Sequence, residues 1–283
     1  MLKLKAPLLP IAALALALPA GEGQAQSRRD LILATTTSTQ DSGLLDSLLP
    51  DFRTRTGIEV KVIAVGTGAA LDMARRGDAD AALVHAPEAE REYVASGDLI
   101  GGRLVMHNDF LLVGPAADPA KVRGLVDPAE AMRLVAAAAT FVSRGDGSGT
   151  EKKELALWKR AGVDPKTIGR REETGQGMGA TLQIAEQHQA YTLTDRATFL
   201  ALRDRLTLVP LVEGAPNLLN VYHAYVVNPI KHGKVKRSEA EAFVRYLVAP
   251  ATQRRIGEFG KARFGQSLFV PDAGRDSTAL AAP

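Results

Sequence analysis

The run Asp30-Leu31-Ile32-Leu33-Ala34 reads as a short buried strand. The hydroxyl-rich Thr35 to Thr39 follows it. Apolar residues then recur at Leu44, Leu45, Leu48, Leu49 and Phe52, the spacing of one helical face. Pro50 falls inside that pattern and is expected to distort or stop the helix. Gly57 precedes a second strand, Ile58 to Val65, apolar at Val60, Val62 and Ile63. Gly66-Thr67-Gly68 opens a second helix through Ala69, Leu71, Met73 and Ala74. Arg75-Arg76-Gly77 ends it, with cations suited to a helix C-terminus. A third strand, Ala81 to Val84, completes a strand–helix alternation that predicts a parallel α/β sheet.

Phe110 to Pro115 reads as a strand leaving this unit, and a second unit begins near Pro119. Its pattern predicts a strand over Ala139 to Val142, helices over Gly149 to Ala161 and about Met178 to Gln187, and a strand over Tyr191 to Leu193. Val221 to Val227, closed by Asn228-Pro229, reads as a strand returning to the first unit, with helices at Glu239 to Val248 and near Arg254 to Phe259 behind it. The expected architecture is two α/β lobes joined by two crossing strands, with a cleft between them. The division is a leader over 1–25, lobe one over 26–112, lobe two over 113–220, and a return to lobe one over 221–283.

The leader rests on Lys3 and Lys5, the apolar stretch Leu8 to Ala20 and a small-residue cleavage site at Gly23-Gln24-Ala25, the order of a secretory signal peptide. Pro10 and Pro19 and the short apolar run argue against a membrane anchor. The formal charge of the whole chain is +3, and loss of Lys3, Lys5 and Glu22 with the leader brings it to +2. So small an excess gives no reason to expect nucleic acid or anionic membrane as a partner. There is no cysteine. Thiol catalysis, thiolate metal sites and lipidation of an N-terminal cysteine are thereby excluded, and an exported chain of this kind suits a periplasm.

Candidate chemistry sits where strands give way to helices. Thr35 to Ser38, Gly66 to Gly68 and Ser143 to Thr150 each place Thr, Ser or Gly at a strand-to-helix turn. The first turn of a helix has free N–H groups and a partial positive charge, and ligands of α/β sheets bind at strand carboxyl ends. The ordinary role of any one such hydroxyl is an N-cap. In the third turn, Ser148 and Glu151 fit a capping box, and Arg144 offers a planar fork of donors. Asp146 either orients Arg144 or accepts a proton from a protonated ligand. Trp158 is expected in the core on a face shared with Leu155.

Leu33-Ala34-Thr35-Thr36-Thr37-Ser38, Val65-Gly66-Thr67-Gly68, Ser143-Arg144-Gly145-Asp146-Gly147-Ser148-Gly149-Thr150 with Glu154 and Trp158, and Tyr191-Thr192-Leu193-Thr194-Asp195-Arg196 occur in this order. Over residues 30–272 the chain resembles the tungstate-binding components of bacterial ABC uptake systems. The resemblance implies a type II periplasmic-binding-protein fold, closure around one tetrahedral oxyanion, and delivery to a permease by a receptor that is usually a monomer. Carried onto this chain, the ligand-binding residues are Thr36, Thr37, Ser38, Thr67, Ser143, Arg144, Ser148, Gly149 and Thr150, with no cofactor. His85-Ala86-Pro87 also carries the resemblance and reads as a loop near the cleft without a ligand contact. Tungstate is fully ionised near neutral pH and wants donors only, whereas a phosphate site gains from a carboxylate.

Two rivals remain: a binding protein for molybdate, phosphate or another oxyanion, and an exported enzyme acting on a phosphorylated substrate. The enzyme lacks a nucleophile and base at recognisable spacing. His85, His107, His188, His223 and His232 are scattered and form no metal motif. Gly175-Gln176-Gly177-Met178-Gly179 stands at a helix start with no evident strand before it, which leaves backbone donors or a flexible loop as its roles.

Overall fold

The computed structural model describes residues 29–275. The expected leader lies outside them. The strands are β1 (Arg29–Thr36), β2 (Ile58–Val65), β3 (Ala81–Val84), β4 (Leu99–Gly114), β5 (Phe141–Ser143), β6 (Arg171–Glu173), β7 (Thr192–Asp195), β8 (Val209–Val212), β9 (Leu219–Val227) and β10 (Val270–Pro271). The helices are α1 (Thr37–Asp41), α2 (Leu44–Thr56), α3 (Thr67–Arg76), α4 (Pro87–Ala95), α5 (Pro128–Ala138), α6 (Gly149–Arg160), α7 (Met178–His188), α8 (Arg196–Leu202), α9 (Arg237–Val248), α10 (Pro250–Glu258) and α11 (Lys261–Phe264).

In the first lobe the sheet order is β10-β4-β9-β3-β1-β2, with β1 parallel to β2 and β3 and with β9 antiparallel to β3. The carboxyl ends of β1, β2 and β3 therefore lie along one edge, each followed by a helix. β4 is much longer than its expected apolar end at 110–115. Its first part pairs with β9 from Leu99↔Val227 to Asp109↔Leu219, and its end pairs with β7 and β8 in the second lobe. β4 and β9 are thus the crossing strands. In the second lobe β5 lies parallel to β6 and bridges to Tyr191, the residue before β7.

The cores follow this division. One apolar cluster is drawn only from residues between Phe110 and Leu218, around Trp158, Phe141 and Tyr191, and another lies between Ala34 and Val235. A third runs from Leu31 to Phe269 and takes in α2, α7 and α9, so the lobes share apolar contact as well as strands.

Two local expectations are corrected. α2 passes through Pro50 and ends at Gly57 with φ +67°, because Leu48 and Phe52 are buried on either side and hold it to the sheet. The left-handed glycine is the stop, not the proline. Trp158 is fully buried and packs edge-on against Phe141 at 5.1 Å, but Leu155 is 40% exposed, so the two do not share a buried face.

Candidate functional site

The three strand-to-helix turns singled out above meet across the cleft. Thr36 ends β1 and caps α1, with Oγ1 accepting the Thr39 N–H at 3.2 Å. Thr67 is the first residue of α3, with Gly66 as N-cap, and Gly149 and Thr150 open α6 with Ser148 as N-cap. A Cβ built on Gly149 would stand 3.2 Å from Thr67 Oγ1 and 3.0 Å from His85 Cε1, and one built on Gly66 would stand 3.7 Å from the Asp146 carbonyl oxygen. The turns of the two lobes are therefore in contact, and a side chain at 149 would hold them apart.

The loop from Ser143 to Ser148 is folded by its own carboxylates and glycines. Gly145 (φ +60°) and Gly147 (φ +70°) take left-handed backbone, and a Cβ at 145 would meet the Glu173 Cβ at 2.8 Å. Asp146 Oδ2 accepts from Arg144 Nη2 at 2.5 Å, and Oδ1 accepts the Ser148 N–H at 3.1 Å. Arg144 Nε reaches the Gln176 carbonyl at 3.4 Å. The guanidinium is 2% exposed, a buried cation with one carboxylate partner. Each Asp146 oxygen thus accepts one donor from its own loop.

The capping box forms with one substitution. Ser148 Oγ accepts the Glu151 N–H at 3.2 Å, but Glu151 bonds the Gly147 N–H, because Asp146 already holds the Ser148 N–H. With its acceptor role filled, the Ser148 hydroxyl keeps a hydrogen to donate.

Two predicted hydroxyls stand out energetically. Thr67 Oγ1 and Thr150 Oγ1 are both buried and have no hydrogen-bond partner among the described residues. A buried polar group left unpaired costs about 1–3 kcal/mol, so such atoms mark places meant to meet another group. They come from opposite lobes.

Other predicted residues serve differently. The Ser143 hydroxyl donates to Glu154 Oε2 at 2.6 Å and accepts from Arg171 Nη2 at 2.9 Å. It thus joins the Glu154–Arg171 network within lobe two. Glu154 also accepts from Trp158 Nε1 at 2.9 Å and from Arg171, which explains why Glu154 and Trp158 travel with the loop motif. Burial pushes the Glu154 carboxyl up while these donors and the Arg171 charge pull it down, burial being the larger influence. Thr37 and Ser38 lie in the first turn of α1, Thr37 half-buried and Ser38 buried. Thr35, their neighbour, donates to the Leu83 carbonyl at 2.7 Å and belongs to the sheet.

His85, read from the sequence as part of a loop near the cleft, is buried against the lobe-one hydroxyls. Fully buried after β3, it places Nε2 2.9 Å from Thr36 Oγ1 and 3.3 Å from Ser38 Oγ, with Nδ1 2.8 Å from Asn220 Oδ1. Burial lowers its pKa to about 4, against smaller opposing effects that include the Asn220 bond, so the ring is neutral at pH 7. The signal was present in the sequence: His85 follows β3 as Thr36 and Thr67 follow or end β1 and β2. The Gly175 to Gly179 run also has its strand, β6. Its sequence Arg171-Glu172-Glu173 has no apolar residue, which hid it. Gly175 N–H donates to the Arg144 carbonyl at 2.7 Å, so the run braces the Arg144 loop.

A groove of about 1840 Å³ opens beside His85 and Gly149, yet Thr36, Thr67, Arg144 and Thr150 do not line it. The hydroxyl cluster is closed off from that space. A bi-lobed α/β chain with donor groups from both lobes converging on a closed cleft defines a solute-binding protein.

Comparison with known proteins agrees with that class. The family described as "PBP superfamily domain" matches residues 21–251. The tungstate-binding protein TupA of Peptoclostridium acidaminophilum is 46% identical over 91% of this chain and 91% of its own length. Among solved structures, the tungstate-binding protein TupA from Desulfovibrio alaskensis G20 is similar at 45% identity and a TM-score of 0.76, over 87% of this chain and 99% of that one. The tungstate ABC transporter structure from Geobacter sulfurreducens aligns at 46% identity and a TM-score of 0.74, over 81% and 98%. The chain belongs to the TupA family of tungstate-binding proteins, within the PBP superfamily.

Proposed function

We propose that this protein captures one tetrahedral oxyanion, tungstate, between its lobes and delivers it to the permease of an ABC importer, and that it is a receptor and not an enzyme. The observation that carries the reading is the pair of buried, unpartnered hydroxyls, Thr67 Oγ1 and Thr150 Oγ1, contributed by opposite lobes, with the buried Arg144 in the loop that leads into Thr150 and close enough to His85 for its charge to act there. Ser38 and Ser148 add hydroxyls and the starts of α3 and α6 add positive helix ends. Thr36, Thr37 and Gly149 shape the first turns. The proposed ligand-binding set is Thr36, Thr37, Ser38, Thr67, Arg144, Ser148, Gly149 and Thr150, with Ser143 entering through its backbone because its hydroxyl serves Glu154.

The Asp146 geometry favours a fully ionised anion. Pairing with Arg144 and the Ser148 amide holds the Asp146 carboxylate to its own loop and makes it a weaker acceptor for the proton of hydrogen phosphate. The names of the relatives, tungstate-binding proteins at 45–46% identity, support the same ligand. The proposed lobes are 26–112 with 221–283, and 113–220, the protein acting as a periplasmic monomer after loss of residues 1–25. Among the described residues no helix is long and apolar enough to cross a membrane.

Calorimetric titration with tungstate, molybdate, sulfate and phosphate tests the reading. The expected result is one site that prefers tungstate or molybdate strongly over phosphate. Tight phosphate binding without tungstate binding overturns it. Turnover of a phosphoester, abolished by Arg144→Ala, would instead establish the enzyme alternative.

A further inference from the structure

We propose that His85 is a positioning residue for ligand capture, linking the crossing strands to the lobe-one hydroxyls and forming the seat on which α6 closes. The proposal rests on the oxyanion reading above.

The chain of contacts begins at the crossing strands. Asn108 on β4 and Asn220 on β9 are register partners, and Asn220 Nδ2 donates to Asn108 Oδ1 at 2.7 Å and to the Tyr222 hydroxyl at 3.2 Å. Those bonds use the amide nitrogen and leave Oδ1 to face His85 Nδ1 at 2.8 Å. The ring proton is thereby placed on Nδ1, and Nε2 becomes an acceptor. Thr36 Oγ1 at 2.9 Å is the nearer donor to it, ahead of Ser38 Oγ at 3.3 Å. Thr36 Oγ1 is also the acceptor of the Thr39 amide. Thr39 Oγ1 stands nearer still, 2.7 Å from Thr36 Oγ1. With Thr39 donating to Thr36 and Thr36 donating to His85 Nε2, Ser38 keeps its hydroxyl hydrogen for an anion alongside the unpartnered Thr67.

The ring itself is immobilised. It stacks on Tyr222 with centroids 4.6 Å apart and planes 29° from parallel. Its edge meets α6 of the other lobe: the Cβ position of Gly149 lies 3.0 Å from Cε1 and 3.3 Å from Nδ1. Glycine at 149 lets the start of α6 come down onto the imidazole. One side chain therefore touches both crossing strands through Asn220, the lobe-one hydroxyls through Nε2, and the lobe-two helix through its edge.

The test uses tungstate titration of the whole protein, with the melting temperature of the ligand-free form followed in parallel. His85→Asn keeps a polar group near the Nδ1 position and loses Nε2, whereas His85→Gln reaches the Nε2 position. Both lose the stacked ring and carry a similar structural cost. The expected result is at least tenfold weaker binding for His85→Asn, and within about threefold of the unmodified protein for His85→Gln. Gly149→Ala is expected to weaken binding about tenfold without lowering the ligand-free melting temperature. Equal affinities for the two His85 variants overturn the proposal, as does full affinity in Gly149→Ala. Gly149→Ala decides alone if the His85 variants do not fold. Failure of the unmodified protein to bind any tetrahedral oxyanion refutes the functional reading itself and this inference with it, whereas failure confined to the variants refutes only the role of His85.

Discussion

The Arg144–Asp146 pair permits a prediction in which removing more of the site restores function. Arg144→Ala deletes a charged donor, a loss of about 1.5–3 kcal/mol for one such hydrogen bond. It also strips Asp146 of its 2.5 Å partner and leaves that carboxylate, 19% exposed, beside a dianion. Charges of −1 and −2 about 6 Å apart repel by about 5 kcal/mol at an effective dielectric near 20, and partial exposure reduces this to a few. The single substitution should therefore weaken tungstate binding by at least about a thousandfold, about 4 kcal/mol. Arg144→Ala combined with Asp146→Ala removes the repulsion and should recover at least tenfold of that loss, although the Ser148 amide forfeits its acceptor. Calorimetry at low salt, with circular dichroism to confirm folding, reads both. If the double variant binds no better than the single one, Asp146 does not face the bound anion's field and this electrostatic reasoning is wrong.

Thr67→Val and Thr150→Val each replace a buried, unpartnered hydroxyl by a methyl. Each should weaken tungstate about tenfold while leaving the ligand-free melting temperature unchanged or raised, as calorimetry and thermal denaturation will show. Ser143→Ala, by contrast, should cost stability of about 1–2 kcal/mol in urea unfolding and change affinity less than threefold, since its hydroxyl serves Glu154. Glu154→Ala strands the buried Arg171, Ser143 and Trp158 donors and should destabilise the fold by about 3–5 kcal/mol. His85 gives a pH signature. Its folded pKa of about 4 lies below the unfolded value of 6.5, so between these pH values the unfolded chain binds more protons and stability falls as pH is lowered. The His85 contribution approaches about 3 kcal/mol below pH 4, and urea unfolding of His85→Gln should show a flatter pH dependence over that window.

Much of lobe one could be read from the chain because its boundaries carry steric instructions. Gly66 and Gly77 bracket α3 as expected, the second with φ +69°. Continuous apolar runs mark β1 and β3, where both faces are covered. What escaped is where tertiary context overrides local pattern. β4 begins eleven residues before its apolar end, at Leu99, because pairing with β9 holds Leu99 and Ile100 and resumes at Arg103 across an irregularity at Gly101 and Gly102. β6 has the sequence Arg-Glu-Glu and exists through its pairing with β5 and the Arg171–Glu154 contact. In the site, hydroxyl-rich turns were legible as anion-binding types, but the direction of each hydroxyl was not. Ser143 and Ser148 lie five residues apart with the same side chain, and only the partners Glu154 and Glu151 separate their roles. The place of His85 directly after β3 was legible, but its role was not, because its partners lie 49 and 135 residues away.

The central claim is that one oxyanion sits between Thr67 and Thr150 beside Arg144. Anomalous diffraction at the tungsten edge from crystals grown with tungstate tests it most directly. The account predicts a single peak within about 4 Å of Thr67 Oγ1, Thr150 Oγ1 and the Arg144 guanidinium. A peak elsewhere, in the groove beside Lys153 for example, or no peak at saturating tungstate, would contradict it.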